Sequence, residues 1–381
     1  MFETIDSETV ALPVAPVASD TQEELKQFAP LKREDYEGFK EDFLKWLLRE
    51  GKSPSKGKGY AKDTVRQTHY RVDHAYRWKW EQEGQYSTEF TPGNADTLIK
   101  FLNHRTAKPE SEAAKYQKSL KRLLKFFNET KQRDYDWDPD HLSDKSGDSM
   151  SHNYFKKHEL GKLYNAATEI SSFKSYHNKA MSAEERDRLK THLAQRFEMQ
   201  KQNVGPEDFD RANSWKLPSL IAVACDTGLR PVEVKRSNTG WLNLSDHQLT
   251  IPKDESSKGD SMWEPALSSR SVRALDHWLK ERDSLEKYDG RDEIWLTKYG
   301  NPYESGSLNR ILDKLLSESG IAPRNRDLTW YSIRRGVATV WANEEGIHNA
   351  KEQLRHKDIE TTERYVHSGF DMRAEMADSK W

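Results

Sequence analysis

The stretch L-R-H-K-D-I-E-T-T-E-R-Y, Leu354 to Tyr365, sets His356 nine residues before Tyr365, with a basic run at Ile333-Arg334-Arg335 a little upstream. A tyrosine hydroxyl beside histidine and arginines is the minimum equipment for covalent attack on a phosphodiester. The hydroxyl is the nucleophile, and the cations hold the charge that builds on the phosphate oxygens. The rest of the chain decides whether the other parts of such a site are present.

Working back toward the N-terminus, A-C-D-T-G-L-R-P-V-E-V (Ala224 to Val234) places Arg230 just past an apolar helix. Gly228 permits a tight turn there, and Pro231 can begin the next helix. Glu233 follows Arg230 by three residues, so one helical turn brings its carboxylate back toward the guanidinium. Taken alone, this is an ordinary ion pair at a helix start.

Four segments in order carry a resemblance. T-G-L-R-P-V-E (Thr227 to Glu233), S-K-G-D-S-M-W-E-P-A-L (Ser257 to Leu267), L-T-W-Y-S-I-R-R-G-V-A-T (Leu328 to Thr339), and L-R-H followed by T-T-E-R-Y-V-H (Leu354 to His367) look like the successive boxes of the tyrosine recombinase, or phage integrase, family. The resemblance covers residues 155 to 381, and less specifically 33 to 130, which look like that family's helical core-binding domain. Some wording of the boxes is similar to archaeal members.

The resemblance implies roles. Arg230 and Arg334 match the two clamping arginines, whose planar forks each hold two phosphate oxygens. Tyr365 matches the nucleophile that forms a 3'-phosphotyrosyl bond and releases a 5'-hydroxyl. Lys258 matches the lysine that protonates the leaving oxygen; its ordinary reading is a solvated turn residue, and Lys253 competes with it. His356 matches the late histidine that donates to a phosphate oxygen, with His367 as a rival placed after the nucleophile. Glu233 and Tyr331 take supporting positions. Tyr331 is the informative departure, since it stands three residues before Arg334 where the family usually has histidine. A phenol donates and accepts hydrogen bonds but is no imidazole base near neutral pH. Trp330 reads as packing, and Arg335 as a phosphate contact.

At 381 residues, with 33% charged and 34% apolar residues, the chain reads as polar and soluble, long enough for two or three domains. The formal charge of -2 hides any basic face. A single cysteine, Cys225, excludes an internal disulfide and a cysteine-rich zinc module. The acidic N-terminus lacks a signal-peptide pattern and no apolar run spans a membrane, so a cytoplasmic location is expected, in a prokaryote or encoded by a virus or plasmid.

The pattern along the chain predicts a mainly α fold: a helical core-binding domain followed by a mixed α/β catalytic domain with a small antiparallel sheet. Residues 1–30 are expected to be a flexible tail, 31–130 the helical DNA-binding domain, 131–152 an Asp- and Ser-rich linker, and 153–381 the catalytic domain. Helices are expected at about 33–50, 63–83, 94–106, 110–130, 155–170, 182–200, 217–225, 271–283, 304–319, 331–343 and 347–355. Gly51 to Gly59 should be a flexible loop, and L-N-L, Q-L-T-I-P and W-E-P-A-L after Trp241 short strands. Seven Lys or Arg against four Asp or Glu between Lys56 and Glu83 make Lys56, Lys58, Lys62, Arg66 and Arg71 candidates for phosphate contact, with Tyr70 or Trp78 at sugar edges. A packed face with a solvated rim is the bland alternative.

By resemblance the partners are double-stranded DNA attachment sites and further copies of the chain, as a tetramer on paired sites, with no membrane. Neither a metal nor another cofactor is implied, because the broken phosphodiester's energy is kept in the phosphotyrosine. A separate arm-site module is not expected before residue 30. The expected activity is site-specific recombination. The alternatives are relaxation of DNA in the manner of a type IB topoisomerase and a DNA-binding accessory protein that has lost catalysis. Phe370, Met372, Met376 and Trp381 suit a tail that covers its own domain or docks on a neighbour.

Overall fold

The computed structural model describes residues 11–105, 110–138, 153–253, 255, 261–356 and 359–363. The chain divides into two compact units, residues 1–147 and 148–381. Among the described residues no helix is long and apolar enough to cross a membrane.

The first unit is helical: α1 (Ser19–Leu25), α2 (Pro30–Arg49), α3 (Lys62–Glu83), α4 (Pro92–Arg105) and α5 (Glu110–Lys131). The apolar spacing that predicts α2 to α5 becomes an aromatic core. Tyr36 of α2 meets Trp80 of α3 edge-on at 4.9 Å, and Phe39 stacks on Phe127 of α5 at 5.9 Å. Two expectations are corrected. Residues 17 to 25 do not behave as a tail, since Val17, Thr21 and Leu25 are buried. The Gly51–Gly59 segment is a compact turn, bridged from Ser53 to Lys58, and a side chain on Gly59 would run into the Leu48 carbonyl 1.6 Å away.

The N-terminal correction has a physical source in Asp73. Its fully buried carboxylate accepts from the Ala18 amide (2.7 Å) and the Tyr36 hydroxyl (2.9 Å), and pairs with buried Lys40 at 2.6 Å. Burial lowers the Lys40 pKa and, with the Asp73 charge, raises that of Tyr36. An Asp in the middle of an amphipathic helix carries no sign that it will bind a segment 55 residues away.

The second unit is built around α9 (Lys216–Thr227), whose Leu220 to Ala224 are all buried. An apolar helix without a polar side must be enclosed, and α9 is packed by α6 (Lys157–Ile170), α11 (Ser269–Arg282) and α13 (Trp330–Glu344). Between α6 and α9 lie α7 (Ala183–Arg196) and the short α8 (Pro206–Asp210). Ser182 caps α7, accepting from the Glu185 amide at 2.9 Å. Short α10 (Pro231–Arg236) follows α9, α12 (Ser305–Ser319) packs on α6 and α13, and α14 (Ile347–Leu354) and α15 (Ile359–Glu363) close the described chain.

The expected sheet is a small antiparallel ribbon. Strand β1 (Leu242–Asn243) pairs with β2 (Gln248–Leu249) in the register Leu242 to Leu249. A third segment continues it through bridges from Gln248 to Ala266 and from Ile251 to Trp263.

Removing the Asp73 carboxylate leaves Lys40 buried and unpaired. Asp73→Ala should cost about 3–5 kcal/mol of stability, while Lys40→Met combined with Asp73→Leu should recover most of the loss. Tryptophan-monitored denaturation of the three variants checks this.

Candidate active site

Gly228 is where the site is assembled. It ends α9 in the left-handed conformation (φ +61°), and a Cβ there would come within 2.8 Å of the Leu354 side chain and 3.2 Å of the Arg334 backbone. Only glycine combines that backbone conformation with so close an approach of α13 and α14. The turn then delivers Arg230 to the start of α10.

Arg230 is held as the sequence predicts. Glu233, fully buried, accepts from the Arg230 amide (2.8 Å) and from its guanidinium Nη1 (2.9 Å), so one carboxylate caps the helix and aims the side chain. The Arg230 side chain keeps 14% of its surface exposed, enough to present the remaining edge of the fork outward.

Arg334 is different. It is 1% exposed, donating from Nη1 to the Gly228 carbonyl (3.0 Å) and from Nη2 to the Leu354 carbonyl. Its guanidinium lies 5.9 Å from the Trp263 ring centroid. It therefore binds the arginine turn to the end of α14 as well as adding positive charge. Trp330 is buried, and its indole donates to the Leu229 carbonyl at 3.2 Å, which makes its packing role specific to the same turn.

His356 follows immediately after α14. The chain turns there through Arg355 in the left-handed region (φ +48°), and the His356 amide donates to the Lys351 carbonyl at 2.9 Å. The ring is buried, with Nδ1 2.9 Å from the Thr362 hydroxyl on α15. Burial, followed by the charges of Arg334 and Arg230, lowers its pKa to about 3. The coupling to both guanidiniums brings Arg230, Arg334 and His356 into one electrostatic neighbourhood. With both guanidiniums close enough to act on the ring, that neighbourhood favours a neutral imidazole.

Other candidates fall elsewhere. Lys258, Tyr365 and the rival His367 lie outside the described residues, while Lys253 is described and exposed. Tyr331 is half-buried with the Arg335 guanidinium over its ring at 5.5 Å, and Arg335 also reaches the Asn153 carbonyl at 3.4 Å. Among the described residues, no group of three or more His, Cys, Asp or Glu side chains is placed to hold a metal ion.

In the N-terminal unit Lys56, Lys58, Lys62 and Arg66 are exposed, as is Tyr70. Arg71 is not an open cation: only 17% exposed, it sits 3.7 Å from Glu112 on the seam between α3 and α5. Trp78 is buried beside Phe101, which corrects its assignment to a sugar edge. A basic stripe on α5 was missed. Arg122 stacks over Tyr60 at 4.7 Å and donates to Thr68 of α3 at 3.2 Å, and Lys125 reaches the Gly51 carbonyl at 3.2 Å. The spacing of Lys115, Lys118, Arg122 and Lys125 at three and four residues was the available signal.

A histidine whose folded pKa lies below its unfolded value contributes stability above the unfolded value, and that contribution is lost as pH falls. The His356 window runs from about 6.5 down to about 3. His356→Gln should therefore flatten the fall of Tm between these limits relative to the parent, which thermal melts across pH will check.

Comparison with known proteins follows the same segments. Residues 199–372 match the model of the phage integrase family. Tyrosine recombinase XerC of Alcanivorax borkumensis is 25% identical over 159 residues, 42% of this chain and 49% of that protein, so the match spans about half of the relative's length. In fold, the chain is similar to the XerH site-specific recombinase bound to difH substrate in a pre-cleavage complex (TM-score 0.55, 14% identity, 96% of this chain and 90% of that one). It is also similar to the Tn1549 transposon integrase in complex with transposon right end DNA (TM-score 0.51, 14% identity, 88% and 98%). The match to the phage integrase family model thus covers residues 199–372, somewhat less than half of the chain, within a mainly helical fold that carries a small antiparallel ribbon.

Proposed function

We propose that this protein is a site-specific DNA recombinase that cuts and rejoins strands through a 3'-phosphotyrosyl intermediate. The observation that carries the reading is the convergence of Arg230, Arg334 and a neutral His356 around the Gly228 turn. Its relatives by sequence and by fold are named as recombinases and integrases, one bound to difH substrate and one in complex with transposon right end DNA.

In this reading Tyr365 Oη attacks the scissile phosphorus and the bond to the 5'-oxygen breaks. Lys258 gives that oxygen a proton, and the tyrosine proton leaves to water or a neighbouring group. Arg230 meets the nonbridging oxygens with the edge that Glu233 leaves available, an interaction that strengthens as charge develops. Thr362 donating to His356 Nδ1 would leave the ring proton on Nε2, the tautomer that donates to a phosphate oxygen. A bound phosphate would also oppose the two guanidinium charges that depress the histidine. Tyr331 supports rather than abstracts, since a phenol is no base at neutral pH. Lys56, Lys58, Lys62 and Arg66, joined by the basic stripe of α5, are the groups assigned to the DNA backbone, with Arg71 ordering the seam beneath them.

Synapsis of four protomers on paired sites belongs to the same proposal, with the segment after Tyr365 docking on a neighbour. Removing residues 368–381 should leave cleavage of an isolated site intact and abolish synapsis, read by gel shift with paired DNAs. A plasmid-relaxation assay run beside a paired-site assay separates a recombinase from a topoisomerase.

The central test traps the covalent intermediate on nicked suicide DNA cut from the region around the protein's own gene. Tyr365→Phe should form no adduct, and an adduct from that variant would displace Tyr365 as nucleophile. Arg230→Ala should slow adduct formation by about 10²–10³-fold, the usual loss of one preorganised oxyanion donor.

A further inference from the structure

The outward face of α3 carries Lys62, Asp63, Arg66, Gln67 and Tyr70, all exposed, while Val65, Thr68, His69 and Val72 among them are buried. The exposed positions recur at three- and four-residue steps, so they form one stripe along the helix. Arg71 borders that stripe and does not join it. Its guanidinium Nη2 donates to the Gln67 side-chain Oε1 at 3.2 Å and Nη1 to the Gln67 carbonyl at 3.5 Å, while Nε lies 3.7 Å from Glu112 of α5. Lys115 pairs with the same Glu112 at 2.9 Å, so the acid is neutralised from two sides. A cation spent in this way fixes the amide of the residue one turn back.

A glutamine on an exposed helix samples many rotamers, and holding one of them costs conformational entropy at the moment of binding. Arg71 removes part of that cost beforehand. It also decides which end of the amide is offered, because a guanidinium on the carbonyl oxygen leaves the Nε2 amino group, a donor, to meet a partner. The surrounding cations suit a different task. Lys62 and Arg66 on the same stripe, Lys56 and Lys58 on the preceding turn and Lys118 on α5 are exposed. An α-helix fits the major groove of B-form DNA, with base edges before it and phosphates on either side. Long cations at the flanks position a duplex, whereas a neutral, preoriented donor among them can read a base edge.

We infer that Gln67 is a specificity-determining residue: it donates from Nε2 to a guanine in the major groove, in an orientation set by Arg71. Guanine presents two acceptors there, N7 and O6. Adenine presents N7 beside an N6 donor, and that donor needs the oxygen that Arg71 already holds. Arg71 acts only through Gln67 and is a positioning residue. The inference rests on the proposed assignment of the N-terminal unit to duplex DNA.

The full-length protein is incubated with a random duplex DNA library, and the bound fraction is sequenced. Gln67→Ala, Gln67→Glu, Arg71→Met and Arg66→Ala are run beside the parent, with thermal melts on each. Selected duplexes are then remade with 7-deazaguanine, in which C–H replaces the N7 acceptor.

The parent should prefer guanine at one position on the order of tenfold, the discrimination of a good base contact, and 7-deazaguanine there should remove most of it. Gln67→Ala should lose that preference while the salt slope, which phosphate contacts set, stays at the parent's value. Gln67→Glu, an acceptor only, should turn the preference toward cytosine, whose N4 donates. Arg71→Met frees the carbonyl and should bring adenine, which needs an acceptor and a donor together, close to guanine. Arg66→Ala should weaken binding across all sequences with the preference intact. Binding without a guanine preference, a preference that survives Gln67→Ala, or one that follows Arg66 overturns the inference and leaves DNA binding standing. An unchanged preference in folded Arg71→Met overturns it as well, since the donor would then owe nothing to the arginine. Should Arg71→Met melt below the assay temperature, the turn toward cytosine in Gln67→Glu decides. If the parent retains no duplex from the library, the assignment of this unit to DNA fails and the inference falls with it.

Discussion

A buried guanidinium that donates to two backbone carbonyls is the constraint around which the second unit closes. Arg334 donates to Gly228 at the end of α9 and to Leu354 at the end of α14. Each carbonyl belongs to a helix terminus, where acceptors are left unpaired by the helix itself. An arginine placed there satisfies both and stays charged, which no lysine can do with the same planar reach. The positions of Arg230, two residues past Gly228, and His356, two past Leu354, follow from that single side chain.

The charge so installed has consequences beyond geometry. Arg230 is steered by Glu233, and both Arg230 and Arg334 lie close enough to His356 to act on its ring. His356 responds by remaining neutral, its pKa pressed to about 3 by burial and by the two arginines. The N-terminal unit shows the same device used for structure alone: the buried Asp73 carboxylate is surrounded by Lys40, Tyr36 and the Ala18 amide, and binds the chain entry to α2 and α3.

Several features were legible because they are local. The Arg230 and Glu233 pairing follows from a three-residue spacing on a helix start, the Ser182 cap from a capping pattern, and the major helices from apolar periodicity. Arg71 and Trp78 show where that style of reading fails. Both sit on a helix rich in cations and aromatics, yet one is spent on Glu112 and the other is buried, since which face of α3 meets α5 is not written in α3 alone. The bonding of the Gln353 amide was equally invisible, because its backbone partners, Ala266 and Asp226, lie 87 and 127 residues away.

The order and spacing of the four boxes were enough to nominate Arg230, Lys258, Arg334, His356 and Tyr365, since those residue types answer to a fixed chemistry at a phosphodiester. Tertiary structure alone decided that Arg334 is buried between two helix ends while Arg230 keeps an open edge, and that His356 is neutral. Burial and long-range charge set those properties, and both depend on which helix termini meet in space, a quantity that no local spacing encodes.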